Sequence, residues 1–300
     1  MDNSRTIFTS LVGSHNYNLN TPESDEDKKS FVAPTFDCLY GANLIKPESY
    51  HKQLKADLDI EFHDIRKLES VFYKANTSFL EILFSENIEI NSYYEEEMEE
   101  LLNLRKNIAK MNLPYLYESS VGIFFSRKKL MTKRTDNNSH LIDKYGYDPK
   151  QALHCFRALD FLKRFQNTGF NDFKDAIYYK DKDPMREYLF KIRNGEMSLE
   201  YLESMLERKL AVTEMYCKKA YRERTFDEVT NQKLINTIKK IVKKSLKREF
   251  NENMNCNFCD HSFLDDGPGG SYAMICNHKD SKYMRKAVGY NNVCSLFELL

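Results

Sequence analysis

The sequence predicts an α+β (mixed α/β) fold, in which a small sheet precedes a largely helical region and a cysteine-bearing tail. Residues 7–12 form an apolar run that stops at a Gly-Ser pair, as a buried strand does before a turn. Residues 56–63 (ADLDIEFH) alternate apolar and polar side chains with the period of a half-buried strand. From Tyr93 onwards, the apolar residues recur with helical spacing.

The other elements are predicted in chain order from the same periodicities. A second strand is expected over residues 24–33, where Pro34 ends it, and a helix over residues 64–75. The basic and polar stretch 126–139 predicts a loop or linker. Further helices are expected over residues 149–166, 183–193, 198–223 and 230–250. We expect three parts, over residues 1–140, 141–250 and 251–300.

The composition excludes several classes of protein. Of the 300 residues, 41% are hydrophobic, which is enough to build a core and argues against disorder. The 45 basic and 45 acidic side chains cancel, so nucleic-acid binding would need a local patch. The chain lacks a run approaching the roughly 18 apolar residues of a membrane span, and its start does not resemble a secretory signal. We therefore expect a cytoplasmic protein with no membrane partner.

Three aspartates near the first predicted turn suggest a metal-dependent site. Asp25 and Asp27 are two residues apart, so they share one face of the second strand. Such a pair repels itself unless a cation joins it, and Mg²⁺ is bound by one or two carboxylates together with substrate phosphates. Gly13 and Ser14 offer backbone N–H groups and a hydroxyl to a phosphate if a helix begins there, and Asp59 is a third carboxylate within a strand. Alternatively, the first two aspartates are turn residues and the third faces solvent.

Four separated segments, in this order, resemble one family. It is the RNA-ligase-associated, RNA-repair type of predicted nucleotidyltransferase in the DNA polymerase beta superfamily. The sequence departs from the family pattern at Glu26, between the paired aspartates, and at Lys28 and Lys29, where an apolar strand is usual. It also has Asn76-Thr77 where Asn-Pro is common. The matching segments are GSHNYNLNTPESDED, DIEFHDIRKLESVFYKANTSFLEILFS, YGYDPKQALHCFRALDFL and EYLFKIRNGEMSLEYL.

The resemblance implies a nucleotidyltransferase that moves an NMP from an NTP to an acceptor hydroxyl by two-metal-ion catalysis, with release of pyrophosphate. It implies Mg²⁺ or Mn²⁺ held by Asp25, Asp27 and Asp59, with the last of these on the metal that activates the acceptor. The expected partners are an NTP and an RNA or tRNA end. Two alternatives are an enzyme that transfers AMP to a protein, and a non-catalytic nucleic-acid-binding protein that retains the fold.

A basic helical face is the second candidate site. Lys150, His154 and Arg157 lie at positions i, i+4 and i+7 of a predicted helix, and therefore on one side of it. Because they match positions of the family's helical domain, the resemblance implies contacts with phosphate, and Arg193 is a further nucleotide-binding candidate. The alternatives are a solvated basic stripe and, for Arg193, an ordinary charge at a helix end before Gly195.

The last 45 residues contain four of the seven cysteines, with a C-x₂-C pair at Cys256 and Cys259. This spacing, together with a GPGG turn between two strand-like pieces, predicts a small zinc-ribbon-like module. Its alternative is a set of unbound buried thiols. The expected zinc ligands are Cys256, Cys259, Cys276 and Cys294, with His278 or His261 as a possible replacement for the last of these.

A lysine-rich helix precedes the cysteines, over residues 233–248. Its basic side chains share one face and its apolar side chains the other. This pattern fits the solvated face of a docked helix, or else a stripe that binds the phosphates of RNA.

Overall fold

The computed structural model describes residues 5–40, 49–55, 58–253, 262–266, 272–281, 284 and 286–288. The chain divides into two compact units. One consists of Met1–Pro34 with Ile45–Ile241, and the other of Thr35–Leu44 with Val242–Leu300. The three parts expected from the sequence stay a prediction.

A five-stranded sheet forms the first layer of the larger unit. Its strands lie in the order β3-β4-β2-β1-β5, with β2 parallel to β4 and the other neighbouring pairs antiparallel. The parallel pair therefore occupies the middle of the sheet, where both edges of each strand are hydrogen-bonded. The strands are β1 (Thr6–Val12), β2 (Glu26–Val32), β3 (Ser49–Lys55), β4 (Leu58–Asp64) and β5 (Ile88–Ile90).

Helices supply the rest of the described chain in this unit. Three short 3₁₀ turns, at His15–Tyr17, Glu81–Phe84 and Ser92–Tyr94, join the sheet to its surroundings. The helix α1 (Phe36–Tyr40) belongs to the smaller unit. The helices that follow it are α2 (Lys67–Tyr73), α3 (Thr77–Leu80), α4 (Glu95–Lys110), α5 (Leu113–Met131), α6 (Ser139–Tyr145), α7 (Pro149–Asn167), α8 (Phe173–Ile177), α9 (Pro184–Arg193), α10 (Leu199–Tyr216), α11 (Lys218–Arg222) and α12 (Glu228–Asn253).

The core of this unit has a sheet part and a helical part. On the sheet, Phe8 and Phe31 are fully buried, and their rings stack with centroids 4.7 Å apart. In the helical part, α5 packs against α7, which buries Phe156 and Leu159 on one face. Each apolar side chain removed from water contributes roughly 1.5–3 kcal/mol. A sheet followed by packed helices confirms the α+β class.

Two of the predicted elements are wrong in detail. The expected loop 126–139 is helical as far as Met131, because α5 continues through the basic residues. Positive charge is favourable in the last turn of a helix, and Met131 is buried, with its carbonyl accepting a hydrogen bond from the Asp148 N–H (2.8 Å). The helix expected over 198–223 is interrupted at Cys217, between α10 and α11.

The smaller unit contains α1, the end of α12 and a three-stranded sheet. The Phe36 N–H donates to the Glu249 carboxylate (3.0 Å), and the rings of Phe36 and Phe250 meet edge to face. The strands are β6 (Ser262–Asp266), β7 (Tyr272–Cys276) and β8 (Ala287–Val288), and both neighbouring pairs are antiparallel.

Candidate active site

The turn after β1 requires glycine. Gly13 has a φ of +73°, a conformation that side chains other than glycine rarely adopt. A Cβ atom at this position would lie 2.7 Å from Oδ2 of Asp27, which is closer than real Cβ atoms come to any neighbour. The 3₁₀ turn His15–Tyr17 follows, with Ser14 as the residue before it. Gly13, the first residue of the Gly-Ser pair expected from the sequence, therefore lies directly against the candidate carboxylate Asp27.

Asp27 and Asp59 are register partners on the two parallel strands, β2 and β4. Burial raises the pKa of Asp27, and the negative charges of Asp59 and Asp25 raise it further, whereas Lys150 and Lys29 lower it. Asp25 immediately precedes β2. The structure thus brings the three candidate carboxylates within electrostatic range of one another.

The two lysines that depart from the family pattern each have an acidic partner. Because successive side chains of a strand point to opposite faces, Lys28 and Lys29 lie on different faces of β2. Lys28 forms an ion pair with Glu89 beside β1 (2.9 Å), and Lys29 with Glu61 on β4 (3.2 Å). Both lysine charges are therefore paired with a glutamate of the same sheet, Lys28 with Glu89 on β5 and Lys29 with Glu61 on β4.

A buried glutamate, Glu81, supports the turn; it belongs to the matching segment DIEFHDIRKLESVFYKANTSFLEILFS but was not among the candidate site residues. Glu81 is almost fully buried and accepts hydrogen bonds from the Gly13 N–H (3.3 Å) and the Asn16 amide (3.2 Å). Tyr17 lies near the same carboxylate and lowers its pKa, against the larger effect of burial. The Gly13 N–H is therefore engaged within the protein, so a phosphate would have to use the other donors of this turn.

The basic residues predicted on α7 do share one face of that helix. Asp148 caps the helix by accepting from the Lys150 N–H (2.9 Å). The Arg157 guanidinium lies 3.5 Å from the centre of the Tyr17 ring, a cation–π contact between α7 and the turn. Lys150 is close enough to Asp27 to lower the pKa of that carboxyl. The helix thus places two of its cations beside the carboxylates and the turn.

His154 lies between these cations. Burial lowers the pKa of His154 to about 3, and the charges of Arg157, Arg127 and Lys150 act in the same direction. The imidazole is neutral at physiological pH and can donate from one nitrogen and accept at the other. Arg127 reaches this face from α5, where its guanidinium donates to the Gln151 side chain (3.1 Å). Sequence analysis missed Arg127 because it lies in the stretch predicted as a loop.

Arg193 contacts the loop that leads into Asp25. Its guanidinium donates to the Leu19 carbonyl and to the Ser24 hydroxyl (2.9 Å for the latter). Burial lowers the pKa of Arg193. On the same helix, α9, Arg186 donates to the Asn18 carbonyl (2.8 Å). These contacts fasten the segment before β2 to α9.

The cysteine-bearing tail is described only in part. Cys256, Cys259, His261 and Cys294 lie outside the described residues. Cys276, at the end of β7, is buried and is not in a disulfide, and the Nδ1 atom of His278 accepts from the Asp280 N–H (3.2 Å). If His278 binds a metal ion, Nε2 would therefore be its coordinating atom. The zinc ligands stay a prediction.

Two absences apply to the described ranges alone. No three His, Cys, Asp or Glu side chains there are arranged so that they could hold a metal ion by themselves. Among those same residues, no helix is both long enough and apolar enough to cross a membrane.

A solved structure, a nucleotidyltransferase-like protein from Exiguobacterium sibiricum, is similar at 14% sequence identity and covers 90% of this chain and 92% of its own. Its TM-score of 0.22 means that the two chains do not superpose as wholes. The comparison with curated proteins found no match. The model of the RNA repair pathway DNA polymerase beta family, however, matches residues 1–252. This match confirms the family expected from the sequence segments, and the chain belongs to the RNA repair pathway DNA polymerase beta family.

Proposed function

We propose that this protein transfers a nucleoside monophosphate from an NTP to an acceptor hydroxyl, with release of pyrophosphate. Membership of the family supports a nucleotidyltransferase of an RNA repair pathway. The observation that carries the proposal is the placement of Asp27 and Asp59 as register partners, with Gly13 against the first of them. Nucleotidyl transfer needs negative ligands for cations beside a turn that accepts phosphate.

The carboxylates fit the divalent metal ions that the family implies. Asp25 and Asp59 both raise the pKa of Asp27, so a cation among the three would relieve repulsion that the folded chain contains. Mg²⁺ usually keeps several waters and takes substrate phosphates as further ligands, so it does not need a closed cage of side chains. When bound there, Mg²⁺ or Mn²⁺ would supply positive charge that stabilises the charge developing at the α-phosphate.

The cations of α7 and α5 are proposed to bind the triphosphate. Lys150 is close enough to Asp27 to lower its pKa, and Arg157 is held in place by its cation–π contact with Tyr17. An arginine presents several donors in a fixed plane, which suits phosphate oxygens. His154, being neutral, can donate a hydrogen bond without adding charge. Arg127 extends the same positive face from the neighbouring helix.

Arg193 is proposed to support nucleotide binding indirectly, without contacting the phosphates. Its donors are directed to Leu19 and Ser24, so it acts on the nucleotide by fixing the loop before Asp25. We propose that it keeps this carboxylate in place on the turn side of the site, while Lys150 and Arg157 meet the phosphates.

An RNA or tRNA end is the acceptor that we propose. The family's place in an RNA repair pathway supports it. The lysines of α12 support it less than the sequence suggested, because Lys240 is bound to Glu100 (2.6 Å) and Lys239 lies near Glu69. The apolar side of that helix is docked, with Leu234, Ile238 and Ile241 buried.

The proposal is tested by incubating the full chain with each α-labelled NTP, Mg²⁺ or Mn²⁺, and separate RNA, tRNA, DNA and protein acceptors. We expect label on RNA or tRNA and stoichiometric pyrophosphate. Asp27→Asn and Asp59→Asn should each reduce transfer by about two orders of magnitude or more, since several kcal/mol of charge stabilisation depend on bound metal. Asp143→Asn, which removes an exposed carboxylate paired with Arg134, is the matched control.

Three outcomes would contradict the proposal. Transfer to protein alone would identify the AMP-transferring alternative. RNA binding without pyrophosphate release from any NTP would favour the non-catalytic one. Full activity in the Asp27→Asn/Asp59→Asn double variant would show that these carboxylates are not the metal ligands.

A further inference from the structure

We infer that Glu81 is a positioning residue for the nucleotide site, holding the Gly13–Tyr17 turn and, through Tyr17, the place of Arg157. The role of the turn in binding phosphate rests on the proposed function. The contacts of Glu81 do not, and the experiment below separates the two.

The contacts of Glu81 converge on one short segment. Its carboxylate accepts from the Gly13 N–H and the Asn16 amide, and it lies near enough to the Tyr17 hydroxyl for each group to affect the pKa of the other. Its backbone carbonyl also accepts from the Asn16 amide (3.4 Å). One almost fully buried side chain thus satisfies donors at the start and in the middle of the turn, and it acts on the tyrosine at the end.

The position of the turn matters because the residues at its two ends, Gly13 and Tyr17, both contact candidate site residues. At the start of the turn, Gly13 lies so close to Asp27 that even a methyl group would collide with its carboxylate. At the end, the Tyr17 ring supports the Arg157 guanidinium at 3.5 Å. A shift of the turn would therefore move a candidate metal ligand and a candidate phosphate ligand together.

A buried carboxylate is costly unless its hydrogen bonds repay the loss of water. Burial raises the pKa of Glu81, whereas Tyr17, Asn16 and the charges of Lys29 and Arg157 lower it. An apolar side chain could fill the same volume but could accept neither the Gly13 N–H nor the Asn16 amide. The hydrogen bonds that Glu81 accepts from the turn therefore offset the free-energy cost of burying its carboxylate.

The variants that test this role are Glu81→Ala and Glu81→Gln. Glutamine retains an acceptor for the Gly13 N–H and the Asn16 amide, and its NH₂ group can donate to the Tyr17 hydroxyl, whereas alanine removes the acceptor of both donors. Asp64→Ala is the matched control. Asp64 is also a buried carboxylate and accepts from the Arg66 N–H (2.8 Å) and guanidinium, but it lies at the far end of β4 from Asp59.

Hydrogen exchange of the full chain, read over residues 12–19, is the first measurement. We expect Glu81→Ala to speed exchange in this segment by about tenfold or more relative to the wild type, as loss of about one hydrogen bond's free energy implies. Glu81→Gln should stay near the wild type, and Asp64→Ala should leave the segment protected. If Glu81→Ala and Asp64→Ala have the same effect on residues 12–19, the inference is overturned.

Steady-state transfer is the second measurement. Glu81→Ala should raise the KM for NTP by about tenfold, because a displaced turn binds phosphate more weakly. Glu81→Gln should have a KM close to that of the wild type. Equal KM values in the wild type and Glu81→Ala would overturn the link to nucleotide. If the wild type transfers nothing to any acceptor, the proposed function fails, while hydrogen exchange still decides whether Glu81 holds the turn.

Discussion

The guanidinium of Arg157, on the helix α7, lies 3.5 Å from the centre of the ring of Tyr17, in the turn after the first strand. The contact joins a residue of that turn to one of the helical region, 140 positions apart in the sequence. The planar shape of the guanidinium matters for this contact, because an ammonium group does not stack on a ring as a guanidinium does.

Arg157→Lys should therefore weaken nucleotide binding although it keeps the charge. Loss of the planar contact and of paired donors to phosphate should raise the KM for NTP by about tenfold. Arg134→Lys, at an exposed ion pair with Asp143, is the control and should leave the KM unchanged. Steady-state kinetics with the preferred NTP checks this, and an unaltered KM in Arg157→Lys would place the phosphates elsewhere.

Gly13→Ala should damage both stability and activity. The positive φ costs a residue with a side chain about 1–2 kcal/mol, and the new Cβ would force Asp27 out of its place. Gly122→Ala on α5 is the control, because nothing lies within 4 Å of its Cβ and alanine favours a helix by about 0.5–1 kcal/mol. Urea unfolding should show a lower free energy of unfolding for Gly13→Ala than for the wild type, and a slightly higher one for Gly122→Ala. Equal free energies for the two variants would contradict the geometry of the turn.

The free energy of unfolding should decrease as the pH is lowered, partly because of His154. Its pKa is about 3 in the folded chain and about 6.5 when unfolded, so the unfolded state binds the extra proton. The free energy of unfolding is therefore undiminished by this group above about pH 6.5 and declines below it, by at most about 1.4 kcal/mol per pH unit. Burial also lowers the pKa of His63, which acts with the same sign.

Urea unfolding at several values between pH 4 and pH 8 checks this expectation. His154→Gln should reduce the slope of stability against pH below about pH 6.5. His140→Gln, which removes an exposed imidazole, is the matched control. A slope equal to that of the wild type in His154→Gln would show that the imidazole titrates alike in both states.

Zinc is expected in the tail. Protein prepared without chelators should contain about one zinc ion per chain, and Cys256→Ser or Cys259→Ser should lose it. Cys155→Ser is the control, because Cys155 is buried on α7 and contacts the Phe124 carbonyl. Elemental analysis of the purified proteins gives the result. Metal-free wild-type protein would favour the unbound thiols.

The sequence was informative where one side-chain pattern dominated. The alternation around Asp59 predicted β4, and helical spacing predicted α7 nearly to its ends. The edge strand β3 was missed because its seven residues, SYHKQLK, contain little apolar material, and β5 was missed because it has only three residues. Each pairs with one neighbouring strand, β3 with β4 and β5 with β1, and a local side-chain pattern does not reveal such pairing.

The site was predicted in the same uneven way. The three aspartates stand out as charges near strands, whereas the importance of Glu81 and Arg127 depends on contacts with residues far away in the chain. Glu81 is 68 residues from Gly13. Its segment matches the family pattern as Glu-x-Leu, but the segment does not show what the carboxylate contacts, because only the folded chain brings it under the turn.

The turn and the helical region are joined at several points besides Tyr17 and Arg157. The Tyr179 N–H donates to the Tyr17 carbonyl (3.1 Å), and the Asn18 side chain donates to the Tyr179 carbonyl (2.8 Å). Parting the two would break all of these bonds at once. On the proposed function, an incoming nucleotide therefore meets a turn and a helical region that are already joined by hydrogen bonds, and we expect it to bind without a hinge closing between the two. Discrimination between nucleotides would then come from fit to a preformed surface rather than from the energy of closing around the right one.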